Sequence, residues 1–366
     1  MASNADLNKA NRAKKDEFYT QLTDIEKEMR HYEKHFENKT IFCNCDDPEY
    51  SHFWLYFQLN FFRLGLKKLV STHYEADKPS YKMEIVRSEI EKDRCKKGQS
   101  VGQLGYIPDY VKTPLEGNGD FRSSECIEIL KEADIVITNP PFSLFREYVA
   151  QLMEYGKKFI IIGNVSSITT KEIFPLVMAN EVWLGASIHS GDREFAVPDS
   201  YPLEASGYRV DEAGKKYIRV KGVRWLTNMD YPQRHEDLPL YKPYNPEEYP
   251  HYDNFDAIDV GKTTDIPCDY FDVMGVPITF IDKYNPDQFE IIGITKTWYG
   301  SAIKKYPKQL QIGTDGSERI VGKLNDGAVI RVDTPPIGKT YYVVDGCYYI
   351  QTFPRILIRR KKPNEN

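Results

Sequence analysis

The stretch DIVITNPPFSL, residues 134–144, runs from apolar residues that read as a buried strand into Asn139, two consecutive prolines and an aromatic. The prolines remove two backbone donors and freeze two φ angles, leaving a rigid platform of acceptors at the strand's end. Asn139 offers a carbonyl oxygen, and Pro140 and Pro141 offer backbone carbonyls without competing N–H groups. Two acceptors side by side suit a partner with two hydrogens on one nitrogen, and Phe142 adds a flat face beside it. An exocyclic amine on an aromatic ring is a poor nucleophile because its lone pair is delocalised. Accepting both hydrogens localises that pair and prepares the nitrogen for in-line attack on a methyl group.

Outward from this stretch, strand and helix patterns alternate. A helix is predicted from Thr23, where Thr23 and Glu26 have capping-box spacing and Ile25, Met29, Tyr32 and Phe36 form one stripe. IFCNC reads as a strand, and the following segment keeps Phe53, Phe57, Phe61 and Leu64 at helical spacing. LKKLVSTHYE (66–75) reads as a second strand ending in Glu75. Residues 76–117 fit either a strand and hairpin or a helix. GNGDF (117–121) is a turn, CIEILKEA and FREYVAQLMEYG are helical, and KKFIIIGN is another buried strand. Alternation of this kind predicts an α/β domain with parallel strands and crossover helices over residues 18–230, after a flexible N-terminus at 1–17. Beyond residue 231 the pattern changes. Pro, Tyr and acids crowd 232–252, and short β-like runs follow (VPITFID, FEIIGIT, GAVIRVD, TYYVVD, YYIQTFPRILIR), so 231–366 is predicted to be a β-rich region.

Of the 366 residues, 41% are hydrophobic and 28% charged, an ordinary globular composition. The net charge of -5 argues against retention of nucleic acid by bulk charge, although cations can still concentrate on one face. Candidates are Lys215, Lys216, Arg219, Lys221 and Arg224, then Lys304, Lys305 and Lys308, then Arg359 to Lys362. The bland alternative is a solvated surface or a loose end. Six cysteines lie scattered without a C-x-x-C pair, so neither a disulfide framework nor a metal site is expected. No signal peptide or membrane-length run is seen, and a cytoplasmic protein of a bacterium, phage or plasmid is expected, with no membrane partner.

Asn139-Pro140-Pro141-Phe142 resembles the N-P-P-[YF] signature of S-adenosylmethionine-dependent amino-methyltransferases. Together with CNCDDPE (43–49) and the aromatic helix after it, the chain is similar to the EcoRI-like adenine-specific (N6-adenine) DNA methyltransferases. That resemblance implies a Rossmann-like catalytic domain with a β-rich C-terminal target-recognition region. It further implies Asn139, Pro140, Pro141 and Phe142 as catalytic residues on a flipped adenine. Phe18-Tyr19-Thr20 looks like the family's N-terminal F-Y-T element, which contacts S-adenosylmethionine. Cys43, Asn44 and Asp46 occupy the cofactor loop, with Asp47 the competitor for Asp46; here both glycines of the usual F-x-G-x-G pattern are missing. Glu75 matches the ribose-binding acid, and Asp120 with Phe121 the pair at the cofactor's adenine. No metal cofactor is implied.

Trp225 and Phe195 read first as buried core aromatics, with stacking on the target base's other face as the alternative. Lys296, Trp298, Tyr299 and Lys304 to Lys308 are candidates for gripping DNA while the base is extracted. The implied partners are double-stranded DNA and a cognate restriction endonuclease acting on the same site. The alternatives are RNA adenine-N6 or protein glutamine-N5 methylation, or a catalytically silent nucleic-acid-binding subunit.

Overall fold

The computed structural model describes residues 19–45, 47–76, 79–97, 106–197 and 207–362. Two of the expected cofactor residues, Phe18 and Asp46, lie outside them. The chain divides into two compact units, one comprising Met1–Ile173 with Glu181–Tyr231 and the other Phe174–Asn180 with Pro232–Asn366.

The first unit is built on an eight-stranded sheet in the order β4-β3-β2-β1-β5-β6-β11-β7. Its centre is four parallel strands: β1 (Thr40–Cys43), β2 (Lys68–Thr72), β5 (Ile135–Thr138) and β6 (Lys158–Asn164). They are buried almost throughout, as strands covered on both faces must be. One face packs α1 (Leu22–Met29) and α2 (His52–Leu59) against Ile41, Leu69, Ile135, Ile137, Ile160 and Ile162. The segment 76–117 combines both predicted alternatives: β3 (Tyr81–Val86), α3 (Arg87–Lys96) and β4 (Val111–Pro114), with β3 and β4 antiparallel at one edge. The helices α4 (Ser124–Glu132) and α5 (Phe145–Glu154) flank β5 in sequence.

The stripe Ile25, Met29, Tyr32 and Phe36 is fully buried. The helix itself begins at Leu22, ahead of Thr23, and its N-cap is Gln21 with no side-chain cap bond. The expected capping box therefore does not form. The helix also stops at Met29, so Tyr32 and Phe36 reach the core from the turn and 3-10 helix (Glu33–His35) that follow.

After the short helices α6 (Val165–Ile168) and α7 (Phe174–Met178), β7 (Trp183–Leu184) closes the other edge of the sheet beside β11 (Val223–Thr227), which runs antiparallel to β6. A separate three-stranded sheet, β8-β10-β9, is formed by Asp192–Ala196, Lys216–Lys221 and Arg209–Val210.

The second unit holds two sheets. One orders β12 (Ile258–Asp259), β13 (Met274–Pro277), β20 (Arg355–Arg360) and β14 (Phe289–Ile294). The other orders β16 (Glu318–Val321), β15 (Gln309–Ile312), β18 (Tyr341–Val344), β19 (Cys347–Gln351) and β17 (Val329–Val332). VPITFID is a strand only as far as Pro277. Proline has no N–H for the ladder, and the chain turns there into a 3-10 helix over Ile278–Lys283. Among the described residues, no helix is long and apolar enough to cross a membrane.

Candidate active site

β1 pairs with β2 on one side and with β5 on the other, and β5 continues to β6. The connections leave β1 and β5 in opposite directions, so a crevice opens at their carboxyl ends, where ligands bind in such sheets. Both expected motifs converge there. β1 ends at Cys43 and hands over to Asn44, while β5 ends at Thr138 and hands over to Asn139.

Hydrogen bonds weld the two strand ends together. The Thr138 hydroxyl donates to the Asn44 carbonyl, the Tyr148 hydroxyl donates to Asn44 Oδ1, and Ser71 Oγ donates to the Cys43 carbonyl at 2.5 Å. Cys43 and Asn44 are buried at the end of β1, and the side-chain oxygen of Asn44 is occupied from within the fold. Cys45 then turns the chain with φ at 78°, a left-handed conformation that L residues rarely adopt. The loop thus makes a glycine-type turn without glycine.

Asn139 and Pro140 are buried, while Pro141 and Phe142 are half-buried. Phe142 begins a 3-10 turn, Phe142–Leu144, closed by Leu144 N–H donating to the Pro141 carbonyl at 3.0 Å. Its ring meets Phe195 edge to face, with centroids 6.4 Å apart and planes at 84°. Phe195 is buried on β8, and Trp225 is fully buried on β11 against Phe53 (5.9 Å, 89°). Both are core aromatics. Neither offers an open face to a base.

The next residue on β8, Ala196, pairs with Tyr19: Tyr19 N–H donates to the Ala196 carbonyl at 2.8 Å, and Ala196 N–H returns a bond at 3.1 Å. His52 Nδ1 donates to the Thr20 carbonyl at 2.6 Å, anchoring the pair of residues to the start of α2. The Thr20 hydroxyl is buried with no hydrogen-bond partner among the described residues.

Glu75 stands three residues beyond β2, which stops at Thr72, and so is not the strand's last residue. It is placed instead by the turn at 117–121, through Glu75 N–H donating to the Asn118 carbonyl at 2.8 Å. Gly119 allows this crossing: its φ is +79°, and a Cβ there would collide with the His73 carbonyl oxygen. Asp120 follows at once. Both its carboxylate oxygens accept from Arg122, at 2.9 and 2.7 Å, and this guanidinium holds the carboxyl below its ordinary range. Phe121 is buried edge to face against Tyr148 at 5.0 Å. Asp47, the competitor for Asp46, accepts from the Tyr81 hydroxyl (2.8 Å) and Glu49 N–H (3.0 Å) and lies 3.5 Å from His73. Its carboxylate, like that of Asp120, already accepts hydrogen bonds from within the fold.

Tyr148 was invisible to motif reasoning, yet it joins the first loop to Phe121. Its signal was a polar-tipped aromatic within an otherwise apolar stripe of α5 (Phe145, Val149, Leu152), which must find a partner when buried.

Of the basic candidates, Arg224 is a buried brace donating to the Val223 and His189 carbonyls at 2.8 and 2.7 Å. In the second unit Lys304 is held by Asp253, and the Tyr299 hydroxyl donates to the Ile292 carbonyl at 3.0 Å. A cavity of about 400 Å³ lined by Lys39, Asp134, Lys158 and Trp183 lies at the amino ends of β1, β5 and β6, the wrong end of the sheet for this chemistry.

Comparison with known proteins finds a matching family model and three relatives. The family model described as "Adenine-specific methyltransferase EcoRI" matches residues 6–361. The chain is 49% identical over 298 residues to the Type II methyltransferase M.EcoRI of Escherichia coli, covering 81% of this chain and 90% of that protein. It is 38% identical over 296 residues to M.MgeORF184P of Mycoplasma genitalium and over 290 residues to M.MpnI of Mycoplasma pneumoniae, each covering 78% of this chain and 85% and 84% of those proteins. No solved structure matches. With a strand-end Asn-Pro-Pro-Phe platform at the switch point of an α/β sheet and a family match over nearly its whole length, this chain belongs to the EcoRI family of adenine-specific methyltransferases.

Proposed function

We propose that this restriction-modification-type DNA methyltransferase transfers a methyl group from S-adenosylmethionine to N6 of an adenine turned out of duplex DNA. The observation that carries the reading is the position of Asn139-Pro140 at the carboxyl end of β5, across the crevice from the loop after β1. Asn139 Oδ1 and the Pro140 carbonyl accept the two N6 hydrogens, and Phe142 lies along the base. Two acceptors draw the amine toward tetrahedral geometry and localise its lone pair. No strong base is needed beforehand, since the amine sheds its proton only as positive charge develops.

The residues around the crevice suit the methyl donor. A nucleoside with a charged amino-acid tail needs hydroxyl, carboxylate and apolar partners together. The buried Thr20 hydroxyl, half-buried Glu75, and Asp120 beside Phe121 supply them, and Cys45 takes the left-handed turn after β1 without glycine. Thr20 with Tyr19 would hold the amino-acid tail, Glu75 the ribose, and Asp120 with Phe121 the adenine. S-adenosylmethionine supplies a methyl group activated on a positively charged sulfur. The β-rich residues 231–366 are assigned to recognition of the DNA site, and a cognate endonuclease would share that site.

The test is incubation with labelled donor and separate pools of duplex DNA, RNA and protein. Label is expected in DNA as N6-methyladenine. Asn139→Ala is expected to lose roughly 10²–10³-fold in kcat while still binding the donor. Label only in RNA or protein overturns the substrate, and full activity of Asn139→Ala overturns the mechanism.

A further inference from the structure

The basic cluster at 215–224 is sorted by the fold into two kinds of residue. Arg224 is buried and structural, whereas Arg219 and Lys221 are exposed on β10. Strand alternation places Ile218 and Val220 inward, in the same core cluster as Phe195, and turns Tyr217, Arg219 and Lys221 outward. The two outward cations stand about 7 Å apart along the strand.

Each has a carboxylate opposite it in the ladder, but neither carboxylate is within ion-pairing distance of it. Glu194, opposite Arg219 in the ladder, gives its oxygens to Arg209 at 3.0 and 2.6 Å, and Arg219 acts on it through space without a hydrogen bond. Asp211 accepts from the Ala213 and Lys215 N–H groups and from the Tyr217 hydroxyl. Asp192 is opposite Lys221 in register. Among the described residues neither Arg219 nor Lys221 is in an ion pair.

The location is equally specific. β10 passes through Gly222 into β11, whose first residue, Val223, pairs with Asn164 at the carboxyl end of β6. β10 therefore projects beyond the same end of the sheet as Asn139. Its neighbour β8 carries Phe195 against Phe142, and Ala196 of β8 pairs with Tyr19.

We propose that the outer face of the β8-β10-β9 sheet, through Arg219 and Lys221, grips phosphates of the duplex beside the extruded adenine. This rests on the DNA reading above. Cations on adjacent outward positions of one rigid strand meet the backbone without reading sequence, so they hold the duplex while the base leaves the stack.

Arg219→Gln/Lys221→Gln is compared with wild type by binding to a short fluorescent duplex across a salt series and by steady-state methylation of unmodified genomic DNA. The double variant is expected to raise KM for DNA roughly tenfold and to lower the slope of log affinity against log salt by about 2. Its kcat at saturating DNA and its donor affinity should stay at wild-type values. Arg219→Lys/Lys221→Arg, which keeps the charge, should restore the slope. The control Lys34→Gln/Lys67→Gln, exposed near the amino ends of β1 and β2, should change neither quantity. An unchanged slope and KM in the first variant, or equal losses in the control, overturns the proposal alone. A wild-type protein that neither binds nor methylates duplex DNA brings down the DNA reading itself.

Discussion

Asn139 was legible because its neighbours in sequence are its neighbours in function: strand, asparagine and prolines form one local unit. Tyr148 was not, since the Asn44 it serves lies 104 residues away. Asp120 shows the mixed case. Its place after a turn was readable, but its tie to Arg122 required coordinates. Because that tie depresses its folded pKa below the ordinary 3.8, the stabilisation is present above that value and is lost as pH falls through the depressed one. Asp120→Asn should therefore cost at most about 1 kcal/mol at neutral pH, this group being partly exposed. The difference from wild type should vanish in strong acid, as followed by denaturant unfolding at several pH values. The same variant should weaken binding of S-adenosylmethionine.

At the scale of elements, helices and central strands followed their periodicity, while element ends did not. Glu75 was read as a strand terminus, yet the ladder with β1 and β3 stops at Thr72 and the turn at 117–121 takes over. The turn matters because it delivers Glu75 and Asp120 to one place. Gly119→Ala should remove both at once: a Cβ meets backbone rather than a flexible side chain, and φ is +79°. A loss of roughly 2–4 kcal/mol in unfolding free energy is expected, with donor affinity falling further than in Asp120→Asn. Calorimetry and equilibrium binding would check both. VPITFID failed for a related reason, its proline ending the ladder where apolar alternation alone predicted continuation.

Across the whole molecule, distant segments are closed by single residues. Glu28, fully buried on α1, accepts from the Tyr32 hydroxyl at 2.9 Å and from the Ala186 and Ser187 N–H groups at 2.8 Å each. It thereby fixes the segment that leads into β8 and so to Phe195. Glu28→Gln turns one acceptor into a donor facing N–H, and about 1–3 kcal/mol of stability should be lost in thermal unfolding. By itself the sequence determined the strand-end platform, the alternating α/β pattern and the family, because each is written in residues close together along the chain. Only the tertiary structure decided that Asn44 is held from within the fold by Thr138 and Tyr148, that Phe195 and Trp225 are core, and that Arg219 and Lys221 face outward while Arg224 is buried. Those outcomes depend on which distant segments share a sheet and on competition for hydrogen-bond partners and buried volume, and no local spacing records them.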